Sequence, residues 1–190
     1  MIYVLVPTHN EAPTVGLLLW KIRQVFTAFE REYQLLVVDD ASTDGTDEVL
    51  APYARALPLT LVTHQRRLGY ARSLEELLRL AVARSDRPRR DVAVTIQADF
   101  SENPDELPEL IKRLESGADL VLADGRGRPE AAAAERLARW LVPAAVRPFA
   151  KLAGAGAGVG TLRAYRVGTL ARMLHGPAPL LRTEGWAADL

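Results

Sequence analysis

Asp99 closes the apolar run Val94–Thr95–Ile96–Gln97–Ala98 and stands just ahead of Ser101, Asn103 and Pro104, where a helix is expected to start. An acid at the end of a buried strand has two obvious uses. It can accept the first unpaired N–H groups of the helix, or it can hold a divalent cation at the mouth of a sheet, since hard cations take oxygen ligands. Polar motifs of the same kind follow the other apolar runs. "PTHNE" comes after the first, "DDASTDGT" after the second, "HQRRLGY" after the third, "ADFSENP" after the fourth and "DGRGR" after the fifth.

The runs themselves read as strands. Ile2–Val6, Gln34–Asp40, Leu59–His64, Val92–Gln97 and Ala118–Asp124 are short, apolar and rich in β-branched residues, the signature of strands buried on both faces. Between them lie helical patterns. Val15, Leu18, Leu19, Ile22, Phe26 and Phe29 share one face of the first, as the 3.6-residue period requires. Thr46 or Asp44 suits the start of the second. Leu74, Leu77, Leu78 and Ala81 point inward from a third, over Ser73–Arg84, whose Glu75 and Arg79 make a four-residue pair on the solvent face. Pro104 fits the first turn of the fourth. Strands alternating with helices predict a mainly parallel α/β sheet flanked by helices, with right-handed crossovers. In such sheets ligands bind beyond the carboxyl ends of the strands, which is where every polar motif falls.

Composition bounds the reading. The chain has 190 residues, 48% hydrophobic and 25% charged, with 24 basic and 24 acidic side chains. That suits one globular domain, and the balanced charge gives no field for nucleic acid. Without cysteine there is no disulfide or thiolate chemistry, which fits a reducing compartment. "MIYVLVP" is too short and lacks the basic leader of a signal peptide, and no apolar run reaches the roughly 20 residues of a membrane span. A cytoplasmic location is expected. Beyond Arg128 the pattern weakens. Pro143 and Pro148 should split a helix, and the glycines of "GAGAGVG" miss the spacing of a dinucleotide fingerprint.

Taken together and in order, "VLVPTHNEAPTVGLLL", "LLVVDDASTDGT", "RRLGYARSLEELLRLA" and "QADFSENPDELPELI" resemble the family 2 glycosyltransferases of the GT-A (Rossmann-like) fold, nearest the polyprenyl- or dolichol-phosphate mannosyl- and glucosyltransferases. The resemblance runs to about Arg126 and resumes over Gly160–Arg166. It implies a single catalytic domain over residues 1–190, with a nucleotide-sugar-binding half (1–125) and an acceptor half (126–190) whose ending fits either truncation or a compact variant.

The resemblance also implies roles. Pro7, Thr8, His9, Glu11 and Asp40 would hold the base and ribose of a nucleoside-diphosphate sugar, with His9 at a base-stacking position and Asp39 capping its own turn. Arg67 or Arg66 would meet the diphosphate, with Gly69 allowing close backbone approach. In the family the fourth strand ends in Asp-x-Asp, whose acids bind Mg²⁺ or Mn²⁺. Here the motif is Gln97-Ala98-Asp99, so Asp99 is the expected metal ligand, with oxygens from Gln97 and Ser101 in support, and Gln97 and Ala98 are also expected against the nucleotide sugar, Gln97 at its ribose. His64 and His175 read as surface residues.

The acceptor half departs from the family pattern. Aligned on Arg163–Arg166, the acid position holds Ala157, and no carboxylate lies between Glu135 and Glu184. An ionised lipid-phosphate acceptor needs no base, and Arg126 and Arg163 would bind it. A hydroxyl acceptor on a glycan would need Asp124, Glu184 or Asp189 as general base. The resemblance therefore implies an inverting, metal-assisted hexosyltransferase of cell-envelope glycan synthesis, associated peripherally with the cytoplasmic face of a membrane where the acceptor is a lipid. The alternative is a degenerate member that binds nucleotide or a partner chain without catalysis.

Overall fold

The computed structural model describes residues 1–123 and 162–176. The expectations for Asp124, Arg126, Ala157, Glu184, Asp189 and the glycine-rich run fall outside those residues. The elements are β1 (Ile2–Thr8), α1 (Val15–Phe29), β2 (Tyr33–Asp39), α2 (Thr46–Ala56), β3 (Leu59–Thr63), α3 (Tyr70–Arg84), β4 (Val92–Thr95), α4 (Leu107–Glu115), β5 (Leu120–Leu122), β6 (Arg163–Arg166) and α5 (Val167–Met173).

The six strands form one sheet in the order β3-β2-β1-β4-β6-β5. β1 pairs in parallel with β2 and β4, and β2 with β3. β6 is antiparallel to both β4 and β5, so one reversed strand lies inside an otherwise parallel sheet. The expected mainly parallel α/β sheet is present, and β6 with α5 is an addition that the periodicity did not predict. β1 runs through Pro7 instead of stopping before it. Its pairing with β4 ends at Leu5, so the missing proline N–H falls where the ladder is already one-sided.

Alternation along the strands divides the core in two. Val4, Val6, Leu35, Val37, Val92 and Val94 face Leu18, Leu19, Ile22, Leu50, Leu107, Ile111 and Leu114 of α1, α2 and α4. Tyr3, Leu5, Leu36, Val38 and Ala93 face Leu74, Leu77, Leu78, Ala81, Val167 and Leu170 of α3 and α5. The result is a three-layer sandwich, and each fully buried leucine stabilises it by roughly 1.5–3 kcal/mol.

Two local expectations change. α3 begins at Tyr70, three residues earlier than the pattern suggested. Glu75 does not face solvent: it is 5% exposed and lies 2.7 Å from Arg79, whose Nη1 also donates to the carbonyls of Leu174 and Gly176. The end of α5 covers what would otherwise be a surface pair.

Candidate functional site

Four loops at the carboxyl edge of the sheet carry the chemistry, and the first two are laced together. His9 Nδ1 donates to the Asp40 carbonyl at 2.8 Å, which leaves Nε2 as its acceptor nitrogen. Asn10 N–H donates to Ser42 Oγ, and Asn10 Oδ1 accepts the Thr43 N–H, both at 2.9 Å. Glu11 N–H donates to Thr46 Oγ1 at 2.9 Å, and Ala12 N–H to Asp44 Oδ2 at 3.0 Å. Asp44 Oδ1 in turn accepts both the N–H and the hydroxyl of Thr46, so it caps α2 from just outside. Asp39 holds its own turn as expected, accepting the Ser42 N–H and hydroxyl. Left-handed φ values at Asn10 (57°) and Ala41 (55°) show that this lacing outweighs local backbone preference.

Asp40 is the hinge between the second and third loops. Its side chain is 4% exposed, yet it stays ionised because it is well bonded. Oδ1 accepts from His64 Nδ1 and Leu68 N–H at 2.7 Å each, and Oδ2 accepts from Gly69 N–H at 2.8 Å. Burial alone would raise the Asp40 carboxyl, but the His64 bond and the two amides outweigh it and hold the group below the usual range. A carboxylate has about four acceptor sites, so one on Oδ2 remains for a ligand. Gly69 is needed for conformation, since it sits at φ 94°, ψ 162°, a region open essentially to glycine alone.

His64 is not the surface residue that was expected. Its side chain is 8% exposed and lies between Asp40 (2.7 Å) and Glu76 (2.9 Å). Burial pulls against its charge, but the bonds to Asp40 and Glu76 prevail and raise its pKa above the ordinary histidine value. Nothing local in "THQRR" signals this, because both partners come from other elements.

In the fourth loop, the helix-start role belongs to Asn103 instead of Asp99. Asn103 Oδ1 accepts the Asp105 N–H at 3.0 Å and opens a 3₁₀ turn over Pro104–Glu106. Asp99 is exposed, and its Oδ1 accepts the Ser101 N–H at 2.8 Å across Phe100, which has φ 59°. Its other oxygen has no partner among the described residues. Gln97 N–H donates to Glu102 at 3.1 Å. Among the described residues no three carboxylates or imidazoles converge on one point. A single carboxylate with a free oxygen could serve a hard cation only if phosphate and water supplied most of the other ligands.

Pro7, Thr8, His9, Glu11, Asp40, Arg67, Gln97 and Ala98 line one cleft of about 150 Å³, joined by Tyr70 and Ser73. The residues expected at base and ribose are all in its wall, with Arg67, Gln97 and Ala98, whereas Arg66, Gly69, Asp99 and Ser101 are not among its lining residues. Tyr70 was missed because α3 starts earlier than its apolar period shows, and Ser73 because a serine in a first helical turn carries no signal of its own. The volume is below the roughly 300–1,000 Å³ usual for a whole ligand and is on the scale of a base with its ribose. Arg163 opens β6 opposite Thr95, at the same edge of the sheet. A larger hollow of about 260 Å³ lies at the opposite edge, beside Glu30 and Arg90. It is lined by surface charges such as the Arg31–Glu115 pair, so we assign ligand binding to the carboxyl-edge cleft.

The chain matches the family model for glycosyl transferase family 2 over residues 3–174. Undecaprenyl-phosphate 4-deoxy-4-formamido-L-arabinose transferase of Pseudomonas fluorescens is 27% identical over 165 residues, 86% of this chain and 46% of that protein. The chain thus spans about half the length of the curated relatives it matches. Among solved structures, a mannosyltransferase from Pyrobaculum calidifontis in complex with GDP-Man and Mn²⁺ superposes with a TM-score of 0.61 at 25% identity, over 93% of this chain and 47% of that one. Glucosyl-3-phosphoglycerate synthase from Mycobacterium tuberculosis in complex with uridine diphosphate gives 0.54 at 25% identity, over 88% and 57%.

Proposed function

The chain belongs to glycosyl transferase family 2, and from that premise we propose that it is the donor-binding and catalytic domain of an inverting glycosyltransferase. It moves a sugar from a nucleoside-diphosphate sugar to a lipid-phosphate or glycan acceptor. The observation that carries the reading is the single cleft that gathers Pro7, Thr8, His9, Glu11, Asp40, Arg67, Gln97 and Ala98. Solved neighbours hold GDP-Man with Mn²⁺ or uridine diphosphate, and the relatives act on undecaprenyl phosphate.

The first two loops would grip base and ribose through His9, Glu11 and the remaining acceptor site of Asp40. Arg67 and the N-terminal end of α3 would offset the diphosphate charge. Asp99, with Gln97 and Ser101, would hold Mg²⁺ or Mn²⁺, which when bound stabilises the departing nucleoside diphosphate. The acceptor oxygen attacks the anomeric carbon on the face opposite the diphosphate, and the protein contributes mainly alignment. A lipid-phosphate acceptor arrives already ionised, so no base is required, and Arg163 lies at the edge where such a phosphate would bind. That acceptor would bring the protein to the cytoplasmic face of a membrane. Among the described residues no helix is long and apolar enough to cross one.

A thermal-shift panel of UDP-glucose, UDP-N-acetylglucosamine, GDP-mannose and dTDP-sugars, with and without Mn²⁺, tests the donor reading. A ligand at about 100 times its dissociation constant adds roughly 2.7 kcal/mol, or several degrees. No shift with any donor would remove the reading. Gln97 in place of an acid supports a second one, a nucleotide-binding member that does not transfer. Sugar transfer or donor hydrolysis by the purified protein would rule that out.

A further inference from the structure

His64 follows the last residue of β3 and continues the sheet, its N–H donating to the Asp39 carbonyl at 2.9 Å. Its ring is bonded at both ends, Nδ1 to Asp40 Oδ1 at 2.7 Å and Nε2 to Glu76 Oε2 at 2.9 Å. Ionised carboxylates only accept. Both bonds therefore exist together only when both ring nitrogens carry hydrogen, and the ring is an imidazolium. From solvent to cleft the order is Glu76, 45% exposed, then His64, 8%, then Asp40, 4%. Beyond it stand the Leu68 and Gly69 amides that Asp40 holds.

Resting on the nucleotide-sugar reading of the cleft, we propose that His64 is a positioning residue: as an imidazolium bridging Glu76 and Asp40, it sets Asp40 and the Arg67–Gly69 turn against which the donor nucleotide seats. Arg67 lines the cleft and is followed directly by the two residues whose amides Asp40 binds. The turn that carries the cleft's cation is thus fixed through a carboxylate whose own charge is balanced from behind.

Loss of the proton has a definite consequence. Among the described residues, the charged groups acting on His64 from neighbouring elements are Asp40 at the end of β2 and Glu76 on α3, with Arg66 and Arg67 following on its own loop. Neutral imidazole can donate to only one carboxylate. The exposed Glu76 lets go first, and Asp40 keeps a neutral N–H in place of a cation. A buried anion without its counter-charge then stands in the wall that receives an anionic nucleotide, and the low local dielectric magnifies the repulsion. Among the described residues lining the cleft, Arg67 alone carries a fixed positive charge to offset it.

The test is calorimetric titration of the purified chain with UDP and with GDP in the presence of Mg²⁺, from pH 6.5 to 9, for wild type, His64→Gln and Glu76→Gln. Wild-type affinity should fall about tenfold as pH rises through the raised folded value of His64, the scale of one charge-assisted bond. His64→Gln should bind weakly at every pH, near the alkaline wild-type value, with no step beyond the nucleotide's own ionisation. Glu76→Gln, which removes one of the two carboxylates that favour the imidazolium, should show its step at lower pH than wild type. Thermal melts report whether His64→Gln is folded. If it is not, the exposed Glu76 position decides: a displaced step supports the proposal and an unmoved one overturns it. A folded His64→Gln with the wild-type profile also overturns it. Failure of the folded wild type to bind either nucleotide removes the donor reading itself and the role of His64 with it.

Discussion

The carboxamide oxygen of Asn10 accepts the backbone N–H of Thr43 at 2.9 Å, so a side chain on the first loop does for the second what a strand partner would do. Asn10 itself sits at φ 57°, where asparagine is tolerated and alanine is strained. Asn10→Gly should keep the backbone and lose only the bond, lowering stability by about 1 kcal/mol and weakening nucleotide binding. Asn10→Ala should cost about 1–2 kcal/mol more through the left-handed conformation. Urea denaturation with UDP and GDP titrations separates the two, and a glycine variant matching wild type in both would show the lacing to be inert.

Asp99 and Gln97 make a complementary pair of tests. Asp99→Asn keeps an oxygen for the Ser101 N–H but loses the charge, and an exposed site should change stability by no more than about 0.5 kcal/mol. Nucleotide binding should persist while its dependence on Mn²⁺ disappears. Gln97→Asp restores a second carboxylate and should tighten the apparent Mn²⁺ affinity by about tenfold or more. Manganese titration at fixed nucleotide reads both, and an Asp99→Asn chain with full metal dependence would move the site elsewhere.

Stability should depend on pH from two sides. Asp40 and Asp91 both have carboxyls that burial would raise and that bonding lowers, His64 for Asp40 and Ser85 for Asp91. Their contribution is present above the ordinary value of 3.8 and is lost as pH falls through their lowered folded values. His64 is raised, so its contribution is complete below 6.5 and is lost as pH rises through the folded value. Urea midpoints should therefore peak between about pH 4 and 6.5 and decline on the alkaline side. His64→Gln should flatten that alkaline decline and, because it also removes the bond that lowers Asp40, reduce the acid-side loss in part.

Gly168 tests the far edge of the sheet. Its N–H donates to the Pro88 carbonyl at 2.7 Å, and a Cβ there would lie 3.0 Å from that same oxygen. The obstacle is backbone, which cannot swing aside. Gly168→Ala should cost about 1–3 kcal/mol in denaturant titration while leaving nucleotide affinity intact, since the cleft is at the opposite edge. An equal loss of affinity would mean that β6 transmits strain to the site.

Periodicity made α1 and the core faces of β1 and β2 legible, because burial on both sides of a strand leaves a continuous apolar run. It also put the donor residues at one edge, since the edge follows from parallel topology and chain order. β6 escaped because the four residues Arg-Ala-Tyr-Arg carry neither a period nor a direction. His64 escaped for a different reason. A histidine's role is set by what other elements bring to its two nitrogens, and Glu76 belongs to a helix that reads as surface at that position. Glu75 was misread similarly: its four-residue pairing with Arg79 is real, but what covers the pair is the chain end near Leu174. At Asp99 the sequence favoured ligation over capping; Asn103 takes the cap, and metal binding at Asp99 stands as a proposal.

The placement of β6 has a consequence for how the chain comes to fold. β5 pairs with β6 alone, and β4 has β6 as its outer neighbour, so neither strand can complete its bonding until Arg166 has been synthesised. A nascent chain can assemble β1 to β4 with their helices while one inner edge stays open for tens of residues of further translation. An open, apolar strand edge invites pairing with another molecule. The interval between emergence of β4 and arrival of β6 is therefore one in which an unpaired sheet edge is presented. A segment containing β6, supplied as a separate polypeptide, should add to a fragment that ends after β5 and restore its sheet.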